Sequence, residues 1–235
     1  MTHNSRMNRS TVVDPLSLIP RLLTKFYSWW LRTTYPFCSV GKRFSIHYTC
    51  DLQKDAAHFI SFGDDVLIAK DAWLNPVSTE GEDSKPKITI GEGCVIARRC
   101  IISARNSIHF EPDVLFGPSA LIMDHSHAYE DITLPIRDQG ITEGGKIWIG
   151  QGCWIGHGTT IVCVQGELTL GRNCVVGANS LVTRSFPPYS VISGNPARII
   201  KQFDPIKNVW VLGSARAEIA AVKQAEHPLN VGLSA

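Results

Sequence analysis

Between Met123 and Trp148 the chain gathers Asp124, His125, Ser126 and His127, then Tyr129, Arg137 and Glu143, a denser set of titratable and aromatic groups than its surroundings hold. An imidazole with an ordinary pKa of ~6.5 is mostly unprotonated near neutral pH, so it can accept the proton of a weak nucleophile such as a hydroxyl. General-base help of that kind contributes ~10²–10⁴-fold to a rate. His125 and His127 are the two candidate bases. Asp124 could orient one of them, but neighbouring side chains of an extended segment point to opposite sides, so that role is expected to be weak.

The elements that must hold these residues are set by a period of six. A large apolar residue recurs at Phe62, Ile68 and Leu74, at Ile90, Ile96 and Ile102, at Phe110, Phe116 and Ile122, at Ile149, Ile155 and Ile161, and at Leu170, Val176 and Val182. The next residue is often small, as in Gly63, Ala69, Gly91, Ala97, Gly117, Gly150, Gly156, Gly171 and Gly177, where glycine is expected to supply corner backbone angles that other residues resist. Four residues past each large position the side chain is again usually small: Val66, Ala72, Cys94, Cys100, Val114, Ala120, Cys153, Thr159, Cys174 and Ser180. One large and one small inward residue per six is too short a unit for a helix pair and too regular for a sandwich. It predicts an all-β triangular solenoid of about five coils, each burying its large residues against the coils above and below. The four cysteines in the small inward slot are then packing residues, acting as compact apolar groups.

Two long interruptions leave the coils as loops, 75–87 and 123–148. The first reads as a polar, solvated excursion without chemistry, and the second is the candidate site. A smaller bulge is expected at Val164-Gln165-Gly166. The chain divides into an N-terminal extension over 1–58, the solenoid over 59–201 and a C-terminal helix and tail over 202–235, with Ala215 to Gln224 as the short helix. Within the extension, Leu18, Leu22, Phe26 and Trp29/Trp30 recur at helical spacing across 15–34. That amphipathic helix could cap the open end of the solenoid, or lie on a membrane surface, given its aromatics and its basic residues Arg21, Lys25 and Arg32. Its apolar run, Phe26 to Leu31, falls far short of the ~20 residues a span needs.

Composition narrows the partners. Of 235 residues, 44 % are apolar and 19 % charged, with a net charge of +2 and no dense basic stripe, so nucleic acid is not an expected partner. The seven cysteines are odd in number and follow a polar start, Met1 to Ser10, which points to a reducing cytoplasm rather than a disulfide framework.

The run Ile147-Trp148-Ile149-Gly150-Gln151-Gly152-Cys153-Trp154-Ile155-Gly156, then Val176-Gly177-Ala178-Asn179-Ser180 and Ser193-Gly194-Asn195-Pro196-Ala197-Arg198, resembles the hexapeptide-repeat acetyltransferases. Within them it looks most like the sugar and polysaccharide O-acetyltransferases, across roughly Phe62 to Lys201. The resemblance implies a left-handed parallel β-helix, an exception to the usual hand of parallel crossovers. It implies homotrimers with acetyl-CoA between adjacent subunits, a sugar or glycan acceptor and no metal; with the cysteine usage and the N-terminal helix, the expected place is the cytoplasm or the inner face of the membrane. It also implies His125, at the start of the large loop, as the base that deprotonates the acceptor hydroxyl, with His127 as rival. Coenzyme A contacts would fall on Trp154, His157, Ala178, Thr183, Arg184, Arg198 and Lys201; the family commonly has a small residue where His157 stands. Two other readings remain open: a zinc enzyme of the β-helix carbonic anhydrase kind using His109, His125, His127 and His157, and a non-catalytic scaffold.

Overall fold

In the computed structural model, residues 18–78 and 85–213 are described. The period of six does wind the chain into a three-sided parallel solenoid. The first sheet stacks β1 (Ser39–Val40), β4 (Ile60–Phe62), β7 (Ile88–Ile90), β10 (Ser107–Phe110), β13 (Lys146–Ile149) and β16 (Glu167–Leu170). The second stacks β2 (Ser45–Ile46), β5 (Leu67–Ile68), β8 (Val95–Ile96), β11 (Leu115–Phe116), β14 (Trp154–Ile155), β17 (Val175–Val176) and β19 (Ser190–Gly194). The third stacks β3 (Asp51–Leu52), β6 (Trp73–Pro76), β9 (Ile101–Ala104), β12 (Leu121–Met123), β15 (Thr160–Val162) and β18 (Leu181–Val182). Each strand hydrogen-bonds to the equivalent strand one coil away, so the large residues of successive coils line up in a common core, and the first sheet buries a second apolar residue per strand, such as Ile88 and Ile108.

All fifteen large positions of the repeat are no more than 2 % exposed, and the ten small ones no more than 1 %. Emptying such a site, as in Phe110→Ala, removes contacts on both neighbouring coils and costs ~3–5 kcal/mol. Cys94, Cys100, Cys153 and Cys174 are fully buried, and burial pushes the Cys94 thiol up to about 11, which keeps it an inert packing group.

Three expectations need correction. Strands β1 to β3 form a complete coil ahead of the five counted from the repeat, so the solenoid starts at Ser39 rather than 59. Its phase was already in the sequence: Val40, Ile46 and Leu52 are six apart, but a 3₁₀ turn at Ala57–Phe59 shifts the frame before Phe62. At the other end the parallel repeat stops at β19 (Ser190–Gly194), short of 201, and the chain beyond it continues as strands. Strand β20 (Ala197–Asp204) reverses and pairs antiparallel with β19, and β21 (Val209–Leu212) pairs antiparallel with β20. The third correction concerns the corner glycines. Gly63, Gly91 and Gly156 do not adopt positive φ; that is taken later in the turns by residues such as Gly93, Gly152, Gly158, Asp113 and Asn179. The corner glycines are needed because the next coil is too close: a Cβ on Gly156 would lie 2.5 Å from the carbonyl oxygen of Val176.

Helix α1 (Leu18–Thr34) carries Pro20 in its first turn, where a missing N–H goes unnoticed, and stops before Pro36. It packs on β2 through fully buried Leu31 and through Ser28, whose hydroxyl accepts the edge N–H of Ile46 at 2.9 Å. The capping role is therefore real, but only this one face serves it. The loop 75–87 is less uniformly solvated than expected: Lys87 is 4 % exposed and its ammonium stands 4.8 Å above the Phe59 ring. The bulge at Val164-Gln165-Gly166 is present and exposed. The expected C-terminal helix lies outside the described residues.

Candidate active site

Strand β12 ends at Met123, and the chain bends at Asp124 before leaving as the long loop. That bend defeats the expectation that Asp124 and His125 point apart, since alternation holds only while the backbone stays extended. The Asp124 carboxylate lies 2.9 Å from Nδ1 of His125. It is fully buried and also accepts the backbone N–H groups of Arg105, Asn106 and Ser107 at 2.7, 2.9 and 2.8 Å. Those three amides line the corner between β9 and β10, one coil away. An ionised carboxylate held by three amides has nothing to gain from moving, so it fixes the imidazole as well as the corner. A carboxylate only accepts, so Nδ1 of the neutral ring carries the hydrogen and Nε2 keeps its lone pair.

His125 itself is 8 % exposed. The loop closes behind it: Gly145 N–H donates to the Asp124 carbonyl at 2.7 Å, and Ser126 and Thr142 exchange hydrogen bonds at 3.1 and 2.8 Å. His127 lies beyond this closure, exposed, with Nδ1 3.3 Å from the carbonyl oxygen of Gly140. The partner of its ring is thus a backbone carbonyl and not a carboxylate. Tyr129 is 65 % exposed, Arg137 pairs with its neighbour Asp138, and Glu143 reaches the Arg105 guanidinium at 3.4 Å. A recess of about 500 Å³ opens beside the Asp124 corner, lined by Lys85, Pro86, Lys87, Arg105, Asn106, Ser107 and Glu143.

The other sequence-predicted residues fall into three places. His157 and Ala178 occupy stacked turns at the corner between the second and third sheets, linked by the Asn179 N–H to the His157 carbonyl at 2.8 Å. Both are exposed. Trp154, 51 % exposed, stands on the outer face of the second sheet between Leu115 and Val175. Thr183 and Arg184 follow β18 at the same end of the third sheet as His125, and Arg184 stacks over Phe186 at 5.2 Å. Arg198 and Lys201 sit exposed on β20. His125 and the His157–Ala178 corner thus lie at opposite ends of the third sheet's strands.

Sequence reasoning missed Arg105, Asn106 and Ser107, which contribute through backbone amides and so leave no side-chain signature. It also missed a second constellation on the outer face of the first sheet. There His109 stacks on Trp148 at 3.9 Å, and Trp148 Nε1 donates to Glu111 at 3.0 Å. Among the described residues no group of three or more His, Cys, Asp or Glu is placed to hold a metal ion.

No family model matches the chain. It is 33 % identical over 184 residues to the probable acetyltransferase Rv3034c of Mycobacterium tuberculosis, covering 77 % of this chain and 55 % of that protein. It is 32 % identical over 115 residues to the putative lipopolysaccharide biosynthesis O-acetyl transferase WbbJ of Escherichia coli, covering 46 % of this chain and 57 % of that one. The chain therefore spans a little over half the length of these relatives. Its fold matches that of AntD, an N-acyltransferase from Bacillus cereus solved with dTDP and coenzyme A, at a TM-score of 0.57 and 20 % identity over 80 % of this chain and 92 % of that one. In sequence the chain is thus similar to these acetyltransferases, and its three-sided parallel coil is the fold of an acyltransferase solved with coenzyme A.

Proposed function

We propose that the protein transfers an acetyl group from acetyl-CoA to a hydroxyl of a sugar or glycan, with His125 as the general base. The observation that carries this reading is the single bond from His125 Nδ1 to a carboxylate immobilised by three amides. With Nδ1 so engaged, Nε2 takes the hydroxyl proton as the sugar oxygen attacks the thioester carbonyl carbon. The carbon–sulfur bond then breaks, and the imidazolium returns its proton to the departing sulfur. Asp124 keeps the ring in the useful tautomer and stabilises its transient positive charge.

The donor residues are Trp154, His157, Ala178, Thr183, Arg184, Arg198 and Lys201. The small Ala178 leaves room for a pantetheine arm near the backbone, and the exposed cations Arg198 and Lys201 suit the nucleotide phosphates. Because the His157–Ala178 corner lies across a whole face from His125, one chain does not gather donor and base at a single point. A homotrimer of left-handed coils, each groove formed by two copies, resolves that separation. Exposed Leu67, Leu115 and Trp154 on the outer face of the second sheet support such packing. A glycan under assembly in the cytoplasm, or at the inner face of the membrane, is the acceptor class, in keeping with the lipopolysaccharide role assigned to the Escherichia coli relative.

The test is incubation with acetyl-CoA and a panel of sugars and envelope glycans, followed by mass spectrometry and mild alkali, which removes an O-acetyl ester and spares an amide. The expected product is an alkali-labile acetyl, lost with His125→Ala while coenzyme A binding persists. An alkali-stable acetyl would reassign the acceptor atom to nitrogen, and no transfer to any acceptor would favour a scaffold.

A further inference from the structure

Helix α1 uses one face to cap the coil and presents a second, apolar one to solvent. Leu18, Ile19, Leu22, Leu23, Phe26, Trp29 and Trp30 are each between 44 % and 68 % exposed. At about 100° per residue these seven fall within an arc of roughly 140°. Tyr27, Ser28 and Leu31, which touch the solenoid, lie on the opposite side of the helix. Phe26 packs against both Trp29 and Trp30, with ring centroids at 5.8 and 6.4 Å, so the aromatics form one continuous surface. A soluble fold gains nothing from leaving such a surface in water.

Charge decides what covers it. Arg21, Lys25 and Arg32 lie within about 40° of one another along one border of the apolar arc. The helix contains no acidic residue. Over residues 1–34 as a whole the sequence holds five basic side chains, Arg6 and Arg9 being the others, against the single acid Asp14. Apolar and tryptophan-bearing on one face, cationic along its edge and too short and polar to span, the helix has the makeup of an element that lies in the plane of a bilayer interface. A second copy of the chain would have to offer a matching acidic rim, and lipid phosphates supply one without any such requirement.

We propose that the outer face of α1 docks the protein onto an anionic lipid surface, with Phe26, Trp29 and Trp30 entering the interface and Arg21, Lys25 and Arg32 meeting lipid phosphates. This stands apart from the transferase reading, because it rests on no residue of the candidate active site. It would keep the enzyme where a lipid-linked acceptor is held.

The experiment is co-sedimentation of the full chain with vesicles of phosphatidylcholine alone, or of phosphatidylcholine with phosphatidylglycerol, at low and high salt. The expected result is binding to the anionic vesicles that weakens as salt is raised. Phe26→Glu/Trp30→Glu should weaken it by about tenfold or more, and Arg21→Gln/Lys25→Gln by severalfold on anionic vesicles only. Thermal melting of both variants checks that the coil is intact, and the second leaves the apolar face untouched should the first fail to fold. Failure of the parent chain to bind anionic vesicles, or equal binding by a folded variant, overturns the proposal. So does a drop in solution mass by light scattering for Phe26→Glu/Trp30→Glu without lipid, which would assign the face to another copy.

Discussion

His125 at the end of the third sheet and His109 on the outer face of the first each have an acid one or two residues away, yet the two carboxylates do different things. Asp124 bonds directly to its histidine and is itself locked by the corner amides. Glu111 is spent elsewhere, accepting from the Trp148 indole at 3.0 Å and from the Gln151 N–H at 2.7 Å. His109 is left with a stacking partner, and burial lowers its pKa, only partly offset by Glu111. An acid close in sequence does not make a histidine a base; what matters is a direct bond that settles which nitrogen is free.

The comparison breaks most clearly on activity. His125→Ala should lower kcat by ~10²–10⁴-fold, whereas His109→Ala and His127→Ala should each change it by less than about threefold. Steady-state assays of acetyl transfer on the three variants check this, and equal losses at 125 and 109 would erase the distinction. Asp124→Asn is next. It presents an amide to groups that need an acceptor, so the fold should lose ~1.5–3 kcal/mol and kcat should fall with little change in the KM for acetyl-CoA. Denaturant melts paired with kinetics separate the two effects.

Trp148→Ala is the counterpart on the first sheet. Losing the stack should destabilise the coil by ~1 kcal/mol with activity essentially unchanged, as read by melting temperature and turnover. The smallest effect is a pH dependence. His109 has a folded pKa below its ordinary 6.5, so the unfolded chain binds more protons as pH falls past that value. Stability from keeping the ring neutral is present above about pH 6.5 and is lost below it. The difference in melting temperature between the parent and His109→Gln should therefore shrink or reverse from pH 7 to pH 5; a difference that is flat with pH would show that burial does not act on this ring.

The core was legible because a six-residue period forces each large side chain into the same line, and all fifteen positions read from it are buried. The first coil escaped notice because Phe44 fills a slot where the repeat has a small residue and the turn at Ala57–Phe59 shifts the phase. The loop of the candidate site was legible too, since an interruption of the coil stands out against the period. Its central bond was not. The Asp124–His125 contact depends on a backbone bend and on amides from another coil, and neither has a signature in residue type. The reversal at β20 was hidden for a similar reason: Pro196 announces a break without saying which way the chain turns.

A stack of near-identical rungs has no intrinsic length, and here its ends set it. Ser28 on α1 occupies the amide of the first rung, and the antiparallel hairpin of β20 and β21 closes the last. At each end the repeat gives way to an element that does not continue it. A duplicated coil spliced into the middle would therefore give a taller prism with both terminators unchanged, which offers a route for such a molecule to lengthen without becoming sticky.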